Sequence, residues 1–134
     1  MAFGNIINDE MQLSTLGHAA KKCWLEIPAH FPFVRLNEYV IMPNHAHGII
    51  EIVQTQDFAS HVNKFGPQSK NLASIIRGFK IGVTKFANIH NISFTWHPGY
   101  HDHIVRNDND LNRIQEYIQN NPLRWDIDKE NPKK

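Results

Sequence analysis

The stretch FVRLNEYVIMPNHAHGIIEIV, residues 33–53, decides how the chain folds. Its first ten residues carry Phe33, Val34, Tyr39, Val40 and Ile41, side chains that suit a pleated, half-buried strand. Pro43-Asn44 then breaks the run as a turn. From His45 to Val53 a second strand follows, with Ile49, Ile50, Ile52 and Val53 as its apolar content. Two strands joined by a short turn predict an antiparallel hairpin over 33–53. Within it His45 and His47 stand one residue apart. Side chains at i and i+2 of a strand share a face, so two imidazoles can meet one divalent ion there. A second pair, His101 and His103, with His97 nearby, has the same spacing. Spacing alone does not choose between the pairs, and two ligand-free histidines on a half-buried sheet satisfy it equally.

Towards the N-terminus, residues 1–12 read as irregular and polar. Ser14 is a predicted N-cap. Leu16, Ala19, Ala20, Cys23, Trp24 and Ile27 then recur at helical spacing, with Lys21, Lys22 and Glu26 outside the stripe. Pro28 is expected to stop this helix. Beyond the hairpin, 54–70 is polar with one Gly-Pro and reads as a loop. Asn71 is a predicted cap for a second helix with the stripe Leu72, Ile75, Ile76, Phe79, Val83 and Phe86. Phe94 to Trp96 and His103 to Arg106 read as short strands around His97-Pro98-Gly99. Asp108 or Asn109 should cap a third helix that buries Leu111, Ile114 and Ile118 and ends at Pro122. The order α, β, β, α, β, α predicts an α+β fold, an antiparallel sheet with helices packed on one face. Residues 1–125 form the expected domain and 126–134 a charged, frayed tail.

A length of 134 residues with 41% apolar side chains suits one domain with one core. Charged residues at 20% argue against wholesale disorder. A net charge of +1 announces no nucleic-acid partner by itself, so any DNA contact must come from a local basic surface. One cysteine, Cys23, excludes an intramolecular disulfide and fits a reducing cytosol. Among apolar helix positions it reads as a core residue. No apolar run is long enough for a bilayer and the N-terminus lacks a signal-peptide pattern, so a soluble, cytoplasmic protein is expected.

Tyr117 falls at the edge of the third helix's apolar stripe, and Asn121 lies four residues on, on the same side. Because Asn121 precedes Pro122, its backbone is expected to avoid the right-handed helical region. Taken alone, Tyr117 is a boundary aromatic with its hydroxyl in water. On the second helix Arg77 and Lys80 lie three apart, off the stripe, flanked by Lys70 and Lys85. Such a face can follow a phosphate backbone or simply be solvated.

Four segments together resemble one family. Residues 39–50, YVIMPNHAHGII, look like the HUH motif of REP-associated tyrosine transposases, a branch of the IS200-like, single-tyrosine HUH superfamily. Leu72 to Lys80, with IIRGFK at 75–80, resembles its central helix. Trp96 to Arg106 resembles its Trp-x-x-x-Tyr-x-Asp-His-Ile-x-Arg segment, and Tyr117-Ile-x-x-Asn-Pro its tyrosine motif. These occur in the family's order and cover residues 3–125 almost continuously.

The resemblance implies a ferredoxin-like or RRM-like HUH fold and a DNA transposase that cuts and rejoins single-stranded or hairpin DNA. It makes His45 and His47 ligands of Mg²⁺ or Mn²⁺, Asn121 the polar residue completing the site, and Tyr117 the nucleophile. Asp102 and His103 become structural or DNA-facing residues. Arg77, Lys80, Lys70 and Arg106 are the candidate DNA contacts, in a monomer or homodimer. One departure follows. Family members carry an aromatic, Thr-rich strand ahead of the Phe-Gly that stands here as Phe3-Gly4, so the fold is expected to lack its usual first strand. Truncation is the preferred explanation, with an edge supplied by a partner copy or a rearranged fold as the others. The alternative function is accordingly a weak or inactive remnant that binds hairpin DNA without cutting. A zinc hydrolase using His45, His47 and a water is a third reading.

Overall fold

The computed structural model describes residues 2–52, 68–96, 105, 107–128 and 131. The α+β class expected from the sequence holds. Two two-stranded antiparallel sheets are present among the described residues, each a hairpin.

The first is a departure from expectation. Residues 1–12 contain β1 (Gly4–Ile7) paired with β2 (Glu10–Leu13) in a hairpin, not irregular chain. Asn8 and Asp9 close it with φ of 53° and 65°. Positive φ at both central residues is what a two-residue hairpin turn requires, and Asn and Asp tolerate it best after glycine. The hairpin is tied down at its base. Phe3 is fully buried, its N–H donates to the Pro43 carbonyl at 2.9 Å, and its carbonyl accepts from the Ser14 N–H at 2.9 Å.

Ser14 caps α1 (Thr15–Leu25) as predicted, its Oγ accepting from the Gly17 N–H at 3.0 Å. The helix ends ahead of Pro28, which falls in the first turn of a short α2 (Ile27–His30). Proline is tolerated there because that N–H has no helical partner to lose. The predicted hairpin follows as β3 (Val34–Ile41) and β4 (Ala46–Ile52), with Tyr39 opposite Gly48 and Val40 opposite His47. A bulge between Leu36 and Tyr39 takes Asn37 and Glu38 out of the ladder.

α3 (Gln68–Ile89) begins three residues before the expected cap at Asn71 and takes in residues 68–70 of the expected loop, whose remainder, 54–67, lies outside the described residues. Ile75, Phe79, Val83 and Ala87 face the core with Phe3, Leu16, Ala20, Trp24, Ile27, Val34 and Ile41. Phe94 and Trp96, expected in a strand, lie in irregular chain. They serve packing instead: the two rings sit 5.4 and 5.7 Å from Phe3, and Trp96 Nε1 donates to Thr84 Oγ1 at 2.9 Å. The strand expected at 103–106 lies outside the described residues except for Val105.

α4 (Asp108–Gln119) is capped by Asn107, one residue ahead of the expected Asp108 or Asn109, with the Asp110 N–H donating to Asn107 Oδ1 at 2.8 Å. It crosses β3, where Gln115 Nε2 donates to Asn37 Oδ1 at 2.8 Å and Gln119 Nε2 to Glu38 Oε1 at 3.2 Å. Both bonds land on the bulge. α1 lies on the opposite face of the hairpin: a Cβ on Gly48 would come within 2.2 Å of Trp24 Cζ2, whereas the next residue back, His47, meets α4. Adjacent strand residues point to opposite faces, so the helices expected on one face of the sheet flank this hairpin on both.

Candidate metal and nucleophile site

The turn between β3 and β4 positions the histidines. The His45 carbonyl accepts from the Met42 N–H at 2.7 Å, and His45 Nδ1 donates to Asn44 Oδ1, also at 2.7 Å. A neutral imidazole that donates through Nδ1 keeps its lone pair on Nε2. That Nε2 faces His47 Nε2 at 3.0 Å, the rings nearly perpendicular at 86°. β4 begins at Ala46, so His45 lies in the turn just ahead of the strand and not within it as the sequence predicted, yet the two ring nitrogens still meet.

The separation is chemically informative. Two nitrogens about 2.1 Å from one ion, at right angles across an octahedron, stand about 3.0 Å apart. The pair is therefore close enough to share one divalent cation, and one Nε2–H can also donate directly to the other. Among the described residues no three His, Cys, Asp or Glu side chains are arranged to hold a metal ion.

Tyr117 projects from α4 with its ring centroid 5.6 Å from that of His47, and it is 49% exposed, open to a substrate. Asn121 is buried one turn later, 3% exposed, with Nδ2 donating to the Tyr117 carbonyl at 2.6 Å. Since the amide nitrogen is used in that bond, any ligand role falls to Oδ1. The backbone at Asn121 is right-handed helical, φ −57° and ψ −45°, contrary to the bias expected before proline. The cause is continuation of the chain beyond Pro122 as a 3₁₀ helix (Pro122–Ile127), with the Arg124 N–H donating to the Asn120 and Asn121 carbonyls. Pro122 therefore opens a new turn just after α4 has ended at Gln119.

That 3₁₀ helix carries a residue the sequence reading missed. Trp125 is buried with its ring 6.3 Å from that of His45, and Asp128 just beyond places Oδ2 3.9 Å from His45 Nε2. Asp128 fell in the tail expected to fray. The signal against fraying was the tryptophan, too apolar for a solvated end. Arg113 and Arg124 were missed as well. With Glu116, Tyr117 and Asn120 they line a cleft of about 260 Å³ beside the tyrosine ring.

Arg77 and Lys80 lie apart from this cluster, on α3. They line a groove of about 670 Å³ with Ile76, Ile81, Thr84 and Lys85, and Lys80 Nζ sits 5.6 Å above the Trp96 ring. The side chain of Lys70 lies outside the described residues, as do His97, His101, Asp102, His103 and Arg106. Cys23 is half-buried against α3 and its thiol pKa is pushed up, first by burial and then by Glu26, which suits a packing residue. Among the described residues no helix is long and apolar enough to cross a membrane.

No solved structure matches this chain. A protein of Haemophilus influenzae, described only as uncharacterized, is 45% identical over 136 residues, covering 94% of this chain and 75% of its own length. The profile described as "Transposase IS200 like" matches residues 18–121. That span runs from α1 through the histidine hairpin to the end of the tyrosine helix and Asn121, and on this ground the chain belongs to the IS200-like transposase family.

Proposed function

We propose that this transposase is a single-tyrosine nickase and ligase of the REP-associated branch, acting on single-stranded DNA beside a hairpin. The observation that carries the reading is the meeting of two imidazole nitrogens at 3.0 Å with a solvent-open tyrosine ring on the neighbouring helix. His45 Nε2, His47 Nε2 and Asn121 Oδ1 would hold Mg²⁺ or Mn²⁺. Such an ion supplies Lewis acidity at the phosphoryl oxygens and fixes the phosphorus in line with its attacker.

A phenol with a pKa near ~10 is a poor nucleophile at neutral pH, so orientation matters more than basicity. Tyr117 Oη attacks the phosphorus and gives up its proton to water. The bond to O3′ breaks, that oxygen takes a proton from water and leaves as a 3′-hydroxyl, and the 5′-phosphate is left esterified to the tyrosine. The ester keeps the bond energy, so another 3′-hydroxyl can attack it and restore a phosphodiester without ATP. A duplex would hide the scissile phosphate, hence the single-stranded requirement. Arg113 and Arg124 flank the tyrosine and Arg77 and Lys80 line the α3 groove. They are the proposed phosphate contacts, together with Lys70 and Arg106. With chromosomal DNA as substrate, the protein works in the cytoplasm.

Incubation with a labelled hairpin oligonucleotide and Mn²⁺, followed by denaturing electrophoresis, tests this. The wild-type chain should carry label covalently, a chelator should remove the adduct, and Tyr117→Phe should lose it while keeping hairpin affinity within about twofold. An adduct that survives in Tyr117→Phe refutes the nucleophile. Free 5′-phosphate with no adduct indicates hydrolysis, and binding without cleavage indicates a hairpin-binding remnant.

A further inference from the structure

We infer that Asp128 is a charge-supplying member of the metal site, acting on the ion through a water in its coordination shell. The inference rests on the metal-dependent reading above. Two observations carry it.

The first is placement. Asp128 Oδ2 lies 3.9 Å from His45 Nε2, with the two side chains only 10% and 18% exposed. A carboxylate withdrawn from water to this degree is retained where positive charge or donors compensate it. The second is anchoring. The Asp128 N–H donates to the Trp125 carbonyl at 3.1 Å, the Asp128 carbonyl accepts from the Asn131 N–H at 3.0 Å, and Asn131 Nδ2 donates to the same Trp125 carbonyl at 3.0 Å. With Trp125 buried beside His45, the backbone that carries Asp128 is fastened on both sides.

The rest of the site explains why a carboxylate is needed. Two neutral imidazoles and one amide neutralise none of a divalent ion's charge, and hard cations gain affinity with each carboxylate near them. The 3.9 Å gap is wider than the about 3.0 Å between adjacent ligands of one ion, and Asp128 forms no three-residue ligand group with the histidines. A water-bridged contact accommodates both facts. Mg²⁺ and Mn²⁺ sites commonly keep several waters, and outer-shell partners of this kind change metal affinity by about 10–100-fold when removed.

The test is a Mn²⁺ titration of the full chain without DNA, followed by electron paramagnetic resonance of the free ion. Asp128→Asn should raise the Mn²⁺ Kd by about 10–100-fold. Asp126→Asn, an exposed neighbour in the 3₁₀ helix just ahead of Asp128, should leave it within about twofold. Asp128→Glu keeps the charge and should remain within about fivefold of wild type. An Asp128→Asn protein that binds Mn²⁺ as tightly as wild type overturns the inference while leaving the metal reading intact. If the Asn variant melts early, the Glu variant decides: a loss as large as that expected for Asn overturns the role of charge. A wild-type protein that binds no Mn²⁺ sinks the metal reading and this inference with it.

Discussion

Gly48→Ala is the sharpest test of how the site is seated. A Cβ at this position would lie 2.2 Å from Trp24 Cζ2 and 2.5 Å from Cη2, where ordinary contact is about 3.4 Å or more. More than about 1 Å of displacement must therefore be found in Trp24 or in β4. Trp24 has little room to yield, since it is 4% exposed and its ring meets Phe79 edge-on at 5.5 Å. Overpacking of this kind costs about 1–3 kcal/mol, and the severity of the clash argues for the upper half, about 2–3 kcal/mol. For a domain of this size that is a fall in Tm of roughly 6–12 °C. Urea denaturation with and without Trp24→Phe gives the control. Phenylalanine lacks the outer six-membered ring that makes the clash. Trp24→Phe also removes the indole N–H, which is buried with no hydrogen-bond partner among the described residues, and so part of its own cost is offset. In the double variant the alanine should cost about 1 kcal/mol or less, a coupling of at least about 1 kcal/mol. A neutral Gly48→Ala, or the same cost in both backgrounds, refutes the argument that Trp24 and β4 are in forced contact.

Other expectations concern parts further from the clash. Asn107→Ala removes the acceptor for the Asp110 N–H and should lower stability by about 1 kcal/mol, read by urea denaturation; no change would mean that Asp108 or Asn109 takes over the cap. For Cys23 the folded thiol pKa is raised above its ordinary value, so protonation is favoured by folding. The stability this contributes is fully present below the ordinary thiol pKa and is lost as pH rises through the higher folded one. Alkylation by iodoacetamide at pH 8 should accordingly be slower in the native chain than in urea, and equal rates would contradict the burial argument.

The histidine hairpin was legible because two strong signals coincided, β-branched runs on either side and a Pro-Asn break between them. The i, i+2 spacing suggested that both imidazoles meet, although it is the turn ahead of β4 that holds His45 in place. The N-terminal hairpin was not legible. Its strands are four residues each, their burial alternates weakly, and Asn8-Asp9 lacks the glycine that usually marks such a turn. The cap of α4 was ambiguous for a different reason: Asn107, Asp108, Asn109 and Asp110 stand in a row, every one a good cap by chemistry. Asn121 misled because the rule for residues before proline is local, while the 3₁₀ turn that follows is fixed by burial of Trp125. Asp128 was invisible for the same reason, since its partner is remote in sequence.

The bulge in β3 has a consequence for the reaction. Asn37 and Glu38, left over when the ladder skips, are where Gln115 and Gln119 take hold, and those two residues bracket Tyr117. A slip of the helix by one turn would shift the phenol by about 5.4 Å, enough to part it from the imidazoles although no group of the chemistry had changed. The aim of the attacking oxygen is thus set by an irregularity on a strand that bears none of the reacting groups. Straightening that irregularity would leave a protein with all its tools and no alignment.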